Sequence, residues 1–193
     1  MICRMERIIS HNLKNKKNIA NAIVLIFDIK NNFPEYLRLM LLERLLWATT
    51  EHDDEGKYKK YIGQPYWSIG ALKQVQQNLS SQRNFAHNLR HEHAVPKKEI
   101  RKRIIDLATK NHESVMTILD DLGHAVVVSK DEDDLLNKAG LRSKMPLDLV
   151  EKPLIGDVFS RYKEAGIKVC CISGKDIKRL SLEDIDEIEK ECI

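Results

Sequence analysis

Apolar residues spaced three and four apart run through Leu37, Leu41, Leu42, Leu45 and Leu46, the periodicity of one helix face. Pro34 suits a first helical turn, where its missing N–H costs nothing, and Phe33 just outside it is placed as a hydrophobic staple. This is the strongest helix in the chain, and its leucines are expected to be core. The apolar run at 19–29 fits either a helix or a strand. Residues 51–63 are polar and charged with two glycines, the composition of a surface loop. A helix is expected to begin at Pro65 and to carry Trp67, Ile69, Leu72 and Val75 inward. Two further helices, 98–108 and 114–122, are separated around Asn111 and His112.

The last third changes character. Residues 125–128 and 169–172 are short β-branched runs, each followed by a Ser and then a charged helix start. Ser129 with Glu132, and Ser181 with Asp184, have the spacing of a capping box, ahead of apolar positions such as Leu136 and Ile185. Between the runs lies a helix of Val158, Tyr162 and Ala165 that stops at Gly166. The pattern predicts an α+β fold, predominantly helical, with a small C-terminal sheet of about two strands. Residues 1–193 are expected to form a single domain, with sub-structure in a helical part, 1–122, and a small α/β part, 123–193.

Composition narrows the class. With 193 residues, 42% hydrophobic and 32% charged, the chain can bury a core without staples. Cys3, Cys170, Cys171 and Cys192 fit neither a zinc ribbon nor a secreted disulfide framework, so reduced thiols and a cytoplasmic location are expected. No apolar run reaches the length of a membrane span, and no membrane partner is expected. The net charge of +3 is too small to demand a nucleic-acid partner, but the charge is clustered. Acidic residues collect at 51–55, 131–134 and 183–191. Basic ones collect at Lys14, Lys16 and Lys17, and in the middle at Arg90, Lys97, Lys98, Arg101, Lys102 and Arg103. The middle patch could dock a phosphate backbone; a solvated helix face is the plain alternative.

The densest chemistry is the segment 83–98, where His87, His91 and His93 lie among Arg83, Arg90 and Glu92, ended by Pro96. Glu92-His93-Ala94-Val95-Pro96 resembles the acidic-His-x-x-Pro opening of HNH endonucleases. That resemblance implies Glu92 as a ligand to a divalent ion, Mg2+ or Mn2+, with His93 as the general base that activates water at phosphorus. Arg83-Asn84 followed by His87 resembles the Arg, polar residue, His motif of HEPN-type RNases. That resemblance implies metal-independent RNA cleavage by Arg83 and His87, and a helical homodimer. The spacing of three residues between Arg83 and His87 is shorter than that family's, and the downstream Asn and His of the HNH motif are not at the family's separation.

Other readings stay open. His91 and His93, two apart, would present both rings on one face of an extended segment, where Zn2+ is a further candidate metal. All three histidines could equally be surface or hydrogen-bonded core residues in a non-catalytic interaction protein, regulatory or defence-related, that binds nucleic acid or an acidic protein partner. No Walker loop, GxGxxG, GxSxG or HExxH motif is present.

Overall fold

The computed structural model describes residues 12–28, 32–146, 157–172 and 175–192. Eight helices and four strands are found among them, in the order α1 (Leu13–Phe27), α2 (Glu35–Glu51), β1 (Tyr66–Ser68), α3 (Ile69–Ser80), β2 (Leu89–His93), α4 (Lys97–Asp106), α5 (His112–Leu122), β3 (Ala125–Ser129), α6 (Lys130–Lys138), α7 (Ser160–Glu164), β4 (Val169–Cys171) and α8 (Leu182–Glu189). The α+β, helix-dominated expectation holds. The strand count does not, because the sheet has four strands, ordered β2-β3-β1-β4, and only β3 and β4 come from the C-terminal third.

The described chain forms two compact units of interleaved segments, 61–92 with 125–192 and 12–60 with 93–124. The first holds the sheet. β1 pairs parallel to β3 with Trp67 beside Val127, and antiparallel to β4 with Trp67 beside Cys170. These three side chains share one face and meet Leu72 and Val75 of α3 and Ile185 and Ile188 of α8 in a single core. On another side of β1, the ring of Tyr66 packs 4.9 Å from that of Phe159.

Residues 66–68, expected as helix, are strand. Ser68 explains the break: its hydroxyl accepts from the Ala71 N–H and starts α3 one turn later, while both flanks of Tyr66 and Trp67 are occupied by strands. The capping boxes of Ser129 and Ser181 form as expected, and Asn111 adds a third with Ser114. Glu132 also ties the two parallel strand ends together. Its carboxylate receives the Ser68 hydroxyl, the Gly70 N–H at 3.1 Å and the Ser129 N–H at 2.9 Å. A Cβ at Gly70 would come within 2.5 Å of that carboxyl, so only glycine fits there unless Glu132 moves.

Cys170 and Cys192 are joined in a disulfide that fastens the chain just beyond α8 to β4. This corrects the expectation of reduced thiols at those two positions. Cys171 faces away from Cys170, as adjacent strand residues must, and takes no part in that bond.

The second unit is helical. α1 packs on α2 and α5, and α4 on α2 and α5. The run at 19–29 is helical through Phe27, and residue 29 lies outside the described residues. Lys16, from the N-terminal basic run, is buried on α1, 3.5 Å from Asp120. Of the five leucines expected as core in α2, only Leu42 and Leu46 are buried, while Leu37, Leu41 and Leu45 are half-buried. Among the described residues no helix is long and apolar enough to cross a membrane.

Candidate functional site

The segment singled out by its histidines becomes a turn, then β2, then α4. Along β2, burial alternates: Leu89, His91 and His93 are buried, Arg90 is exposed and Glu92 half-buried. Glu92 and His93 therefore face opposite ways, and each is held by its own unit.

In the first unit, Glu92 Oε2 lies 3.5 Å from Nη2 of Arg161. Arg161 is fully buried and well satisfied. Its Nη1 donates to the carbonyls of Leu141 and Arg142, at 3.0 and 2.9 Å, and its Nη2 donates to the Tyr162 hydroxyl at 2.9 Å. Arg142 in turn sits 3.9 Å from the buried Asp133. The cluster thus contains two carboxyls, two guanidiniums and a phenol. Burial pushes the Glu92 carboxyl above the usual range; Arg161 pulls it back, and the neighbouring charge of Asp133 adds to the rise. Burial likewise raises Tyr162 to about 12, so its phenol stays neutral. A carboxyl that keeps its proton closer to neutrality has the property a general acid or base needs.

In the second unit, His93 is buried, with Nε2 3.0 Å from the Leu46 carbonyl and its ring edge-on to Trp47 at 4.8 Å. A carbonyl only accepts, so Nε2 carries the proton and donates to the backbone of α2. That nitrogen serves the helix and not an attacking water. His91 is buried on the same strand face as His93, the alignment expected of an extended segment. Among the described residues no group of three or more His, Cys, Asp or Glu side chains is gathered where a metal ion could sit.

Arg83 and His87 are both exposed in the turn between α3 and β2. Asn78, buried on α3, organises that turn by donating to the carbonyls of Phe85 at 3.0 Å and His87 at 2.7 Å. Asn88 closes it in the left-handed region, with φ of 59°.

α4 carries most of the basic residues. Ile100 and Ile104, four apart, are its buried stripe. Lys97 is used by the fold: it pairs with Glu43, and its ammonium lies 4.0 Å from the centre of the Trp47 ring. Arg101 reaches the same carboxylate at 4.0 Å. Lys98 and Lys102 are exposed and Arg103 half-exposed, and none of the three pairs with a carboxylate among the described residues. Lys98 stands in the first turn, where the helix dipole disfavours a cation.

Sequence reasoning missed Arg161, Asp133, Arg142 and Tyr162 as partners of Glu92. A signal existed for Asp133, which precedes the buried Leu136 by three positions and so shares its inner face. For Arg161 there was none, because its bonds reach back 20 and 19 positions, to the carbonyls of Leu141 and Arg142. Comparison with protein-family models, with curated proteins and with solved structures finds no match to this chain.

Proposed function

We propose that the protein binds nucleic acid through its phosphate backbone, with α4 as the docking element. One observation carries this: α4 buries Ile100 and Ile104 while turning Lys98, Lys102 and Arg103 outward with no carboxylate to neutralise them among the described residues. Lys98 gains nothing from its own helix, since a cation in the first turn opposes the dipole. A phosphate placed there would meet both the lysine and the amide groups of the helix start. The test is fluorescence anisotropy of labelled single- and double-stranded DNA and RNA. Binding should weaken steeply with salt, and Lys98→Glu/Lys102→Glu should weaken it at least about tenfold at fixed salt. Binding unchanged by the double reversal would remove α4 from the reading.

A second reading, phosphodiester cleavage, is favoured by the raised pKa of the Glu92 carboxyl and by its place beside Arg161 and Asp133. In it, Glu92 is the residue to test first, and His93 is a support for α2. Products that need Mg2+ or Mn2+, vanish in Glu92→Gln and survive in a folded His93→Gln variant would favour this form. Chelator-resistant RNA cleavage lost in His87→Ala would move the chemistry to the exposed turn of Arg83 and His87. Salt-sensitive binding with no product under any condition leaves a non-catalytic nucleic-acid-binding protein.

A further inference from the structure

Residues 62–64 lead toward β1 and residues 172–178 leave β4, and the antiparallel pairing of those strands sets the two stretches side by side. The Ile172 N–H donates to the Pro65 carbonyl at 2.8 Å and fastens them at the root. Both stretches line a pocket of about 520 Å³, inside the range of roughly 300–1,000 Å³ that small-molecule sites occupy. Its lining is held by the fold. Ile172 and Ile177 belong to the core of the sheet, the Ile177 carbonyl accepts from Nε2 of Gln76 on α3 at 3.2 Å, and the Trp67 indole N–H donates to the Gln64 carbonyl at 2.9 Å. A pocket shaped in advance loses little freedom on binding.

The chemistry of the lining indicates its occupant. Ile62, Ile172 and Ile177 are the apolar part, and Ile62 is left 45% exposed. Lys175 and Lys178 line the same pocket, are exposed, and form no ion pair among the described residues. Asp176 stands between them in sequence, but its carboxylate is engaged: Oδ1 accepts the Lys178 N–H at 3.1 Å and Oδ2 lies 3.4 Å from Nε of Arg179. Lys175 acts on the Asp184 carboxylate, which is turned to its own helix cap and accepts the Ser181 N–H at 2.8 Å. Two ammonium groups are thus left for an anion. Lys178 is steadied by Phe85, whose ring centre is 4.6 Å from Nζ, and that face of the ring is then taken. No aromatic side chain lines the pocket among the described residues, so a nucleobase has nothing to stack on. Branched aliphatic walls suit a hydrocarbon chain.

We propose that this pocket binds a small aliphatic anion, its hydrocarbon chain against Ile62, Ile172 and Ile177 and its terminal carboxylate or phosphate held by the ammonium groups of Lys175 and Lys178. The site lies wholly within the first compact unit and does not depend on the nucleic-acid reading of α4.

Titration of the full chain followed by amide and indole N–H resonances tests it, with hexanoate, hexyl phosphate, hexan-1-ol and inorganic phosphate as probes. Hexanoate or hexyl phosphate should shift the amides of 62–64 and 175–178 and the Trp67 indole in a saturable way, with Kd of about 1 mM or tighter. Whichever of the two binds tighter identifies the head group as carboxylate or phosphate. Hexan-1-ol and inorganic phosphate, each lacking one half of the ligand, should bind at least about tenfold more weakly, a difference of about 1.4 kcal/mol. Lys175→Glu/Lys178→Glu should weaken binding at least about tenfold at fixed salt, Ile62→Asp should weaken it too, and Lys175→Arg/Lys178→Arg should retain it. All three positions are exposed, so the variants should fold, and circular dichroism melts check that they do. No saturable shift with either anion up to about ten times that Kd overturns the proposal. So does binding indifferent to the double charge reversal, or hexan-1-ol or inorganic phosphate binding as tightly as the anion that joins them.

Discussion

Arg161 and the outer residues of α4 are both basic, and the fold treats them in opposite ways. Arg161 is taken wholly out of water and given two carbonyls, a phenol and a carboxylate. Lys98, Lys102 and Arg103 are left outside with no carboxylate among the described residues. The planar fork of a guanidinium allows several directed bonds at once, which makes complete burial tolerable. Lys16 shows the contrast within the second unit. It is as deeply buried as Arg161, has among the described residues a single ion pair, with Asp120 at 3.5 Å, and burial lowers its pKa. Charge whose partners are inside the chain is accounted for by the fold. Charge without them is available to something else, and three such cations stand together on α4.

The largest break of this comparison is Arg161→Ala. It removes the cation, leaves Glu92 half-buried near Asp133 without it, and strands the carbonyls of Leu141 and Arg142. A loss of about 3–5 kcal/mol is expected in denaturant unfolding, enough to unfold much of the chain, whereas Lys102→Ala should stay within about 0.5 kcal/mol. Equal effects would erase the distinction between the two kinds of charge. The Cys170–Cys192 bond comes next. It closes a loop of 22 residues, and by chain entropy its reduction should cost about 3 kcal/mol and lower Tm. Thiol titration of the native chain would then find the thiols of Cys170 and Cys192 only after reductant.

Glu92 gives a smaller effect with a sign fixed by its environment. Its native pKa lies above the ordinary value, so the folded state holds the proton more tightly than the unfolded chain does. That contribution is complete below the ordinary glutamate range and is lost as pH rises through the native pKa. Glu92→Gln should therefore match wild type in acid and become the more stable of the two as pH climbs toward neutrality. Melting curves across that range check it, and the reverse slope would mean that Arg161 dominates over burial. The smallest expected change is Lys16→Met, near neutral or slightly stabilising, because one ion pair barely repays the cost of burying the ammonium.

What the sequence disclosed was what neighbouring residues decide. The capping boxes at Ser129 and Ser181 need only four consecutive residues, and both formed as read. β1 was hidden because three residues carry no period, and its strand character comes from Val127 and Cys170, far along the chain. The cluster around Glu92 was hidden for the same reason: its partners come from three later segments, and only Asp133 left a trace in its spacing. Periodicity also located α2 correctly while misjudging its leucines. It identifies an apolar helix, but not whether both of its sides are covered by the same chain.

The most direct test of the central claim is the salt dependence of oligonucleotide binding, measured side by side for wild type, Lys98→Ala and Lys102→Ala. If α4 meets the phosphates, the slope of log affinity against log salt should fall by about one for each lysine removed, with thermal stability unchanged. A wild type that does not bind, or slopes identical in all three proteins, would contradict it.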